Sequence, residues 1–444
     1  MRLIFTLGWL LIAAVPLRAE ADPPAPNIVL ILADDLGAGD LGCFGNPQGL
    51  TKNLDRMARE GTRFTRFYAA SPICSPSRCG LITGQFPARW KITSYLQTRA
   101  GNKGCEQDDF LDPNAPSYPR VLNAAGYATA HFGKWHLGGG RDVIDPPKFA
   151  AYGYDEHAGT WESPEPDPDI TATDWIWSDK DKVKRWERSR FFVDKTLDFL
   201  KRHPDQPCLV NLWLDDPHTP WVPSATAKIG NTPKNLNGVM VENDAQIGRL
   251  LDGLKTLGID DKTLVIFASD HGPLPTFRRA RTVGLRGSKM SLYEGGLRVP
   301  FIARWPGHVP AGKVDETTVL AAVDLFPTFC KLAGADLPTD LRPDGEDRLA
   351  ALLGNPAPER SKPLFWEYGR NAEFFKYPGN PEDRSPNLAV LDGPWKLLVN
   401  TDGQGAELYD RIKDPDETTN LALEQPEPTA RLTKAVLTWR KSLP

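Results

Sequence analysis

Four short segments carry residues that could do chemistry together. "LADDLG" holds Asp34 and Asp35, "GKWHLG" holds Lys134 and His136, "DDPHTP" holds Asp216 and His218, and "ASDHG" holds Asp270 and His271. The chain has only seven histidines, and three of them fall in this set. Adjacent carboxylates repel unless a cation or a proton sits between them. Asp34, Asp35 and Asp270 therefore suggest an oxygen-rich metal site, which favours calcium or magnesium over zinc. Lys134 and His136 lie two apart, so in an extended segment they project to one side. Lys289, in "RGSKMSLYEGG", and Arg78 add further cations. Positive groups converging beside a metal suit an anionic tetrahedral ester, a sulfate or a phosphate. Singly, each feature has a plainer explanation: a solvated acid pair, a packing histidine, a surface lysine, an arginine at a helix end. Their recurrence at several segment ends is what favours a site.

That site lacks an obvious nucleophile, because no Gly-x-Ser-x-Gly elbow is present. The best candidate is "SPICSPSRCGLITG", Ser71 to Gly84, with two cysteines five residues apart. The residues alone leave four readings open: a disulfide, a metal pair, a turn into a packed helix, or a reactive centre.

The elements that must position these residues follow one format. Ile28 to Leu32 is a short apolar run rich in β-branched residues, the pattern of a strand buried on both faces, and it ends in Asp34-Asp35. "NLDRMAREG" then has helical spacing at Leu54, Met57 and Ala58, with Gly61 as a stop. "YPRVLNAAGYATAHFGKWHLG", "FFVDKTLDFLKRHPDQPCLVNLWLDDPHTP" and "NDAQIGRLLDGLKTLGIDDKTLVIFASDHG" repeat helix, turn, apolar strand and polar end. The alternation predicts an α/β sandwich with a mostly parallel central sheet, which binds ligands outside the carboxyl ends of its strands. From Gly138 to Asp181 the pattern breaks, and long loops over the site are expected. From about residue 341 to 444, "PLFWEY", "PWKLLV" and "AELYD" read as short strands. Leu432, Val436 and Trp439 there mark a closing helix, so a small antiparallel sheet with a packed helix is expected, after a catalytic domain over 22–340.

Composition excludes little but sets the context. Apolar residues are 40%, charged residues 25% and the net charge is −4, with no basic block to suggest a nucleic-acid partner. Residues 1–21 read as a secretory signal peptide: one early arginine, an apolar run from Leu3 to Pro16, then small residues. The expected location is secreted or periplasmic, without stable membrane association after cleavage. The lack of an Asn-x-Ser/Thr sequon leans toward a bacterial source. Six scattered cysteines do not make a disulfide scaffold, and Cys208, in "CLVNLWL", reads as a small buried hydrophobe. Thirteen tryptophans is high, and Trp161, Trp175, Trp177 and Trp186 cluster. They serve packing, or a rim that stacks on sugar faces.

With these residues in view, "CSPSRCGLITG" resembles the signature of the type I sulfatases of the alkaline phosphatase superfamily: Cys74, Pro76 and Arg78, then Leu81, Thr83 and Gly84. "NIVLILADDLG", "GYATAHFGKWHLG", "DPHTPW", "LVIFASDHG", "SLYEGGLRVPFIARWPG" and "ELYDRIKDPDETTNLA" resemble further family segments, so the likeness spans most of the chain. It implies an alkaline phosphatase-like fold and oxidation of Cys74 to Cα-formylglycine by a maturase. It also implies one calcium ion held by Asp34, Asp35, Asp270, His271 and the residue derived from Cys74. In that scheme a hydroxyl of the hydrated aldehyde attacks sulfur, and the second hydroxyl expels sulfate by elimination. Arg78 and His136 would hydrogen-bond the hydrate. Lys134 and Lys289 would neutralise the sulfate oxygens, and His218, with Lys289, would serve the leaving alcohol. One position departs: the commonest family pattern is Asp-Asn-Gly where this chain reads Asp-His-Gly. His271 offers nitrogen, a softer donor than an amide oxygen, but the carboxylates keep calcium as the expected ion.

The resemblance is nearest to the branch with N-acetylgalactosamine-6-sulfatase and arylsulfatase A. It favours a sulfated galactose or N-acetylgalactosamine in a glycan, with Trp residues of the 157–177 loop against sugar faces and Arg141 or Arg89 near a neighbouring acid. Arylsulfatase or phosphonate and phosphate diester hydrolase activity is the competing enzyme reading. An inactive secreted glycan-binding protein is the non-enzymatic one, with His271 its only support.

Overall fold

The computed structural model describes residues 25–170 and 177–444. The expected signal segment 1–21 and Trp175 lie outside the described residues. Among the described residues the main sheet has nine strands. They are β1 (Asn27–Ala33), β2 (Thr62–Tyr68), β3 (Ala128–Gly133), β4 (Glu156–Gly159), β5 (Cys208–Trp213), β6 (Thr263–Ser269), β7 (Arg298–Arg304), β8 (Lys313–Asp315) and β9 (Leu320–Ala321). Their order is β4-β3-β5-β1-β6-β7-β2-β8, with β9 also on β2. All pairs are parallel except β6–β7 and β7–β2, so the expected mostly parallel sheet is what forms.

Alternation along β1 explains the layers. Ile28, Leu30 and Leu32 pack with Cys79, Leu81, Tyr118 and Phe326, whose helices are Cys74–Thr83, Tyr118–Ala124 and Leu325–Leu332. Val29, Ile31 and Ala33 pack with Leu54, Met57, Phe192, Ile247 and Leu250, whose helices are Lys52–Arg59, Arg188–Arg202 and Pro233–Thr256. A strand covered on both faces needs apolar residues at every position, which is why β1 reads as an unbroken run.

The second sheet has four antiparallel strands, β10 (Leu364–Glu367), β11 (Leu388–Asp392), β12 (Trp395–Val399) and β13 (Glu407–Asp410). The helix Pro426–Lys441 packs on it through Leu432, Val436 and Trp439, the residues its spacing singled out. This sheet belongs to the same apolar cluster as one face of the main sheet. The Trp366 indole N–H donates to the Ala69 carbonyl at 2.8 Å across the join.

Three details depart from the sequence pattern. The Gly138–Asp181 stretch is not all loop: β4 completes the sheet edge, and Phe149 and Tyr152 are buried against Trp135. A four-residue edge strand, "EHAG", is too short and polar for periodicity to reveal. The strand β11 had no separate signal. The helix before β6 begins at Pro233 rather than near Asn243, because Thr232 caps it by accepting from the Asn235 N–H at 3.2 Å.

Candidate active site

The carboxyl ends of β1, β3, β5 and β6 meet the first turn of the helix Cys74–Thr83. Pro76 sits in that first turn, where a missing N–H breaks no helical bond. Gly84 ends the helix at φ 65°, and a Cβ there would lie 2.8 Å from Phe326 Cβ. At Gly80 a Cβ would fall 2.3 Å from Ala70 Cβ, so the helix lies flush on the chain leaving β2. Every residue of the helix is buried. Cys74 and Arg78, four apart, share one face, and that face meets the ends of β1 and β6.

This geometry separates the four readings of the opening stretch. None of the six cysteines is disulfide-bonded. Cys79 belongs to the apolar core, and burial pushes its thiol pKa up. Cys74 instead faces the polar cluster, with Sγ 3.8 Å from Asp34 Oδ1 and 3.2 Å from His271 Nε2.

Three carboxylates and three cations surround it. Lys134 Nζ donates to Asp34 Oδ2 at 2.6 Å, and Lys289 Nζ to Asp35 Oδ1 at 2.6 Å. Arg78 donates from Nε and Nη2 to Asp270 Oδ2 at 3.1 and 2.9 Å, and from Nη1 to the Lys134 carbonyl at 2.7 Å. Adjacent strand residues face opposite sides, yet both Asp34 and Asp35 turn toward the cluster; the left-handed φ of 64° at Asp35 breaks the alternation. Burial works against the Asp34 carboxylate, but Lys134, His218, Arg78 and Lys289 hold it well below the usual range. Burial also opposes Asp35, and Lys289 and His218 outweigh it. Burial likewise opposes the charge on Lys134 and Lys289, but the carboxylates keep both firmly protonated.

The histidine tautomers follow from their neighbours. His271 Nδ1 lies 2.8 Å from the Gly272 carbonyl, so Nδ1 carries a proton and Nε2 faces Cys74 and Asp35. Burial disfavours a second proton there, but Asp270 and Cys74 raise its pKa to about 9. His218 Nδ1 donates to the Thr219 carbonyl at 2.7 Å, leaving Nε2 3.8 Å from Asp35 Oδ2.

The donor set fits a hard divalent cation. Asp34, Cys74, Asp270 and His271 each place a ligand atom within 4.8 Å of the others, as do Asp34, Asp35, Cys74 and His218. Asp35 Oδ2 is buried with no hydrogen-bond partner, a costly state that a metal relieves. A cation on His271 Nε2 would compete with the proton held there.

His136 stands one step away. Its φ is 54°, so the extended geometry expected for Lys134–His136 does not hold. Its Nε2 donates to the Leu96 carbonyl at 3.0 Å and lies 3.4 Å from Glu162 Oε2, while Nδ1 has no partner. Burial pushes its pKa down to about 3, so the ring is neutral with Nδ1 as acceptor.

Sequence reasoning missed Glu162. It is buried in the cleft mouth and pairs with Arg141 at 2.6 Å. Burial opposes its ionisation, but His136, Lys134 and Arg141 bring its pKa down to about 2. Trp161 lies beside it, with the Arg141 guanidinium 5.2 Å from the indole centre. Arg185 was also missed: it donates to the Asp215 and His218 carbonyls at 2.9 and 3.0 Å and pairs with Asp216 at 2.7 Å, so it clamps the segment that carries His218. Neither had a usable signal, because an isolated acid or arginine in an irregular loop looks like any surface residue. Arg89 is not in the cleft; it forks onto Asp344 through two bonds of 2.8 Å.

Comparison with known proteins places the chain in a family. Residues 26–335 match the family model described as Sulfatase, and residues 287–440 match the model for the C-terminal region of N-sulphoglucosamine sulphohydrolase. The chain is 35% identical to the N-acetylgalactosamine-6-sulfatase of Sus scrofa, covering 81% of this chain and 72% of that protein. It is 28% identical to the N-acetylgalactosamine-6-O-sulfatase of Bacteroides thetaiotaomicron over 92% of each. Among solved structures, Ps i-CgsB in complex with k-i-k-neocarrahexaose superposes with a TM-score of 0.77 at 26% identity, covering 94% of this chain and 92% of that one.

Proposed function

Given that the chain belongs to the sulfatase family and is a sulfuric ester hydrolase, we propose that it removes sulfate from galactose or N-acetylgalactosamine in a glycan, using formylglycine made from Cys74 and one calcium ion. The observation that carries this reading is Cys74 at the first turn of a buried helix, facing Asp34 and His271 inside a ring of three cations. The names of its relatives favour the sugar. The Trp161, Glu162 and Arg141 rim supports a polar, flat-faced substrate.

Asp34, Asp35, Asp270 and His271, with the residue at position 74, would hold the calcium. When bound and formed, the calcium and the hydrated aldehyde supply an activated hydroxyl for attack on sulfur and a second hydroxyl whose deprotonation releases sulfate. The remaining work falls to the chain's own side chains. Lys134 and Lys289 stay cationic and stabilise charge on the sulfate oxygens. Arg78, fixed by Asp270 and the Lys134 carbonyl, orients the helix end that presents position 74. His136, neutral with Nδ1 open, accepts a hydrogen bond from the nucleophile's side of the cleft. His218 Nε2 faces the opening, beside the position of the departing alcohol oxygen; with Nδ1–H held by the Thr219 carbonyl and burial lowering the ring's pKa, it serves that oxygen as a donor only when the ring is doubly protonated.

Export by a signal peptide and oxidation of Cys74 by a maturase complete the proposal. Among the described residues no helix is long and apolar enough to cross a membrane. The test is sulfate release from a panel of monosulfated galactose, N-acetylgalactosamine, glucosamine and uronate, with conversion of Cys74 verified by peptide mass. Release from a galactose or N-acetylgalactosamine ester is the expected result. Silence across the panel with Cys74 converted, or turnover only of a phosphate diester, overturns it.

A further inference from the structure

A second polar groove lies away from the catalytic cleft and shares no lining residue with it. It forms where β2 approaches the small sheet: Arg66 on one wall, Arg348, Arg360 and Lys362 from the segments before β10, and Arg411 just after β13. Its volume is about 570 Å³, within the range of pockets that take an organic ligand and far beyond a lone ion. Its two lining acids do not balance these cations: Asp392 is engaged by Arg431 at 2.5 Å, and of the five only Arg348 and Arg360 have carboxylate partners among the described residues, Glu346 and Asp324.

The guanidinium groups are held in place but not saturated. Arg348, only 3% exposed, donates to the Pro358 carbonyl and pairs with Glu346, yet its Nε has no partner. Arg360 pairs with Asp324 through one nitrogen, while its Nε and Nη1 have none. Arg411 donates from Nε to the Gly393 carbonyl at 2.8 Å, and its Nη1 is buried without a partner. Arg66 makes no hydrogen bond or ion pair among the described residues; partial burial and the nearby Arg411 both work against its charge. Buried donors without acceptors, pressed against like charge, are stabilised by an anion that accepts several at once.

We propose that this groove is a non-catalytic binding site for a sulfated stretch of the glycan chain, holding the polymer while its terminal ester is cut. The proposal rests on the glycan sulfatase reading, which supplies the choice of sulfated sugar over other polyanions. Sulfate groups on successive sugars would lie against the Arg66 and Arg411 guanidiniums, backed by the charge of Arg348 and Arg360.

The test uses Arg66→Gln with Arg411→Gln, since neither residue pairs with a carboxylate, whereas Arg348 and Arg360 anchor the fold. In a Cys74→Ala background, titration calorimetry would measure binding of a sulfated galactan oligosaccharide of defined length and of its desulfated counterpart. The paired substitutions should weaken sulfated-oligosaccharide binding by about tenfold or more and flatten its salt dependence. In the active protein the same pair should leave kcat/KM on a monosulfated monosaccharide within about twofold, because the sites are separate. Unchanged oligosaccharide affinity, or equal binding of the desulfated chain by the parent, overturns the proposal. If no monosaccharide ester is cleaved but oligosaccharide affinity still falls, the groove stands and the substrate reading fails.

Discussion

Replacing Arg78 by Met should unlock the centre of the molecule. The side chain is fully buried, its guanidinium forks onto Asp270 at 3.1 and 2.9 Å, and its third nitrogen holds the Lys134 carbonyl at 2.7 Å. Methionine fills the space and keeps contact with Trp213, whose ring centre lies 5.4 Å from the guanidinium carbon. It leaves the Asp270 carboxylate with only the Asp35 N–H at 3.3 Å and His271 at 3.5 Å. Stripping one partner from a buried ion pair costs about 3–5 kcal/mol. With a urea slope of at least about 3 kcal/mol/M, the midpoint should fall by up to about 1.7 M. Arg78→Lys should lose less, since an ammonium restores charge but not the fork. Both losses should shrink in calcium, which supplies another counter-charge to Asp270. Urea unfolding followed by circular dichroism, with calcium and with chelator, measures all of this. An Arg78→Met midpoint within about 0.2 M of the parent, in chelator, would refute the claim that this pair holds the site together.

Cys74→Ser and Cys74→Ala, expressed with a cysteine-specific maturase, should lose sulfate release altogether; persistent turnover by the serine protein would sink the formylglycine assignment. Chelation should abolish activity and lower Tm, and calcium at a hundred times its Kd should return about 2.7 kcal/mol of stability, checked by calorimetry. Glu417 offers a pH test. It is buried beside Lys396 at 2.9 Å, and burial raises its pKa to about 7, with Lys396 opposing and Glu294 adding to the shift. A raised carboxyl pKa means stability present below the unfolded pKa, near 4.5, and lost as pH rises toward 7. Glu417→Gln should therefore gain on the parent by up to about 3 kcal/mol between those limits, and a constant difference in stability across that range would count against it.

How much of this was legible in the sequence depends on the kind of signal. Periodicity reports on neighbours along the chain, so β1, β6 and the helix Arg188–Arg202 stood out, and so did the Leu432, Val436 and Trp439 stripe. That Cys74, Asp34, Asp35, Asp270, Lys134 and Lys289 belong in one cluster could be anticipated because each sits close in sequence to such an element. Short or irregular pieces were not: β4 is four residues of edge strand, and β11 had no flanking signal of its own.

By itself, then, the sequence determined the α/β architecture and the strand ends that carry the acids, while the choice among the readings of Ser71 to Gly84 waited for the packed helix. Apolar patterning and turn chemistry are local, and those features are local too. Only the tertiary structure decided which charges meet. The left-handed turn at Asp35 brings adjacent carboxylates to one side. The pairing of Lys289 with Asp35 spans 254 positions, and that of Arg78 with Asp270 spans 192. Glu162 reaches His136, and the Arg411 donors reach the second groove, by closure of loops and of one sheet against another. Electrostatic energy depends on separation in space, and no spacing along the chain encodes it until the core has packed.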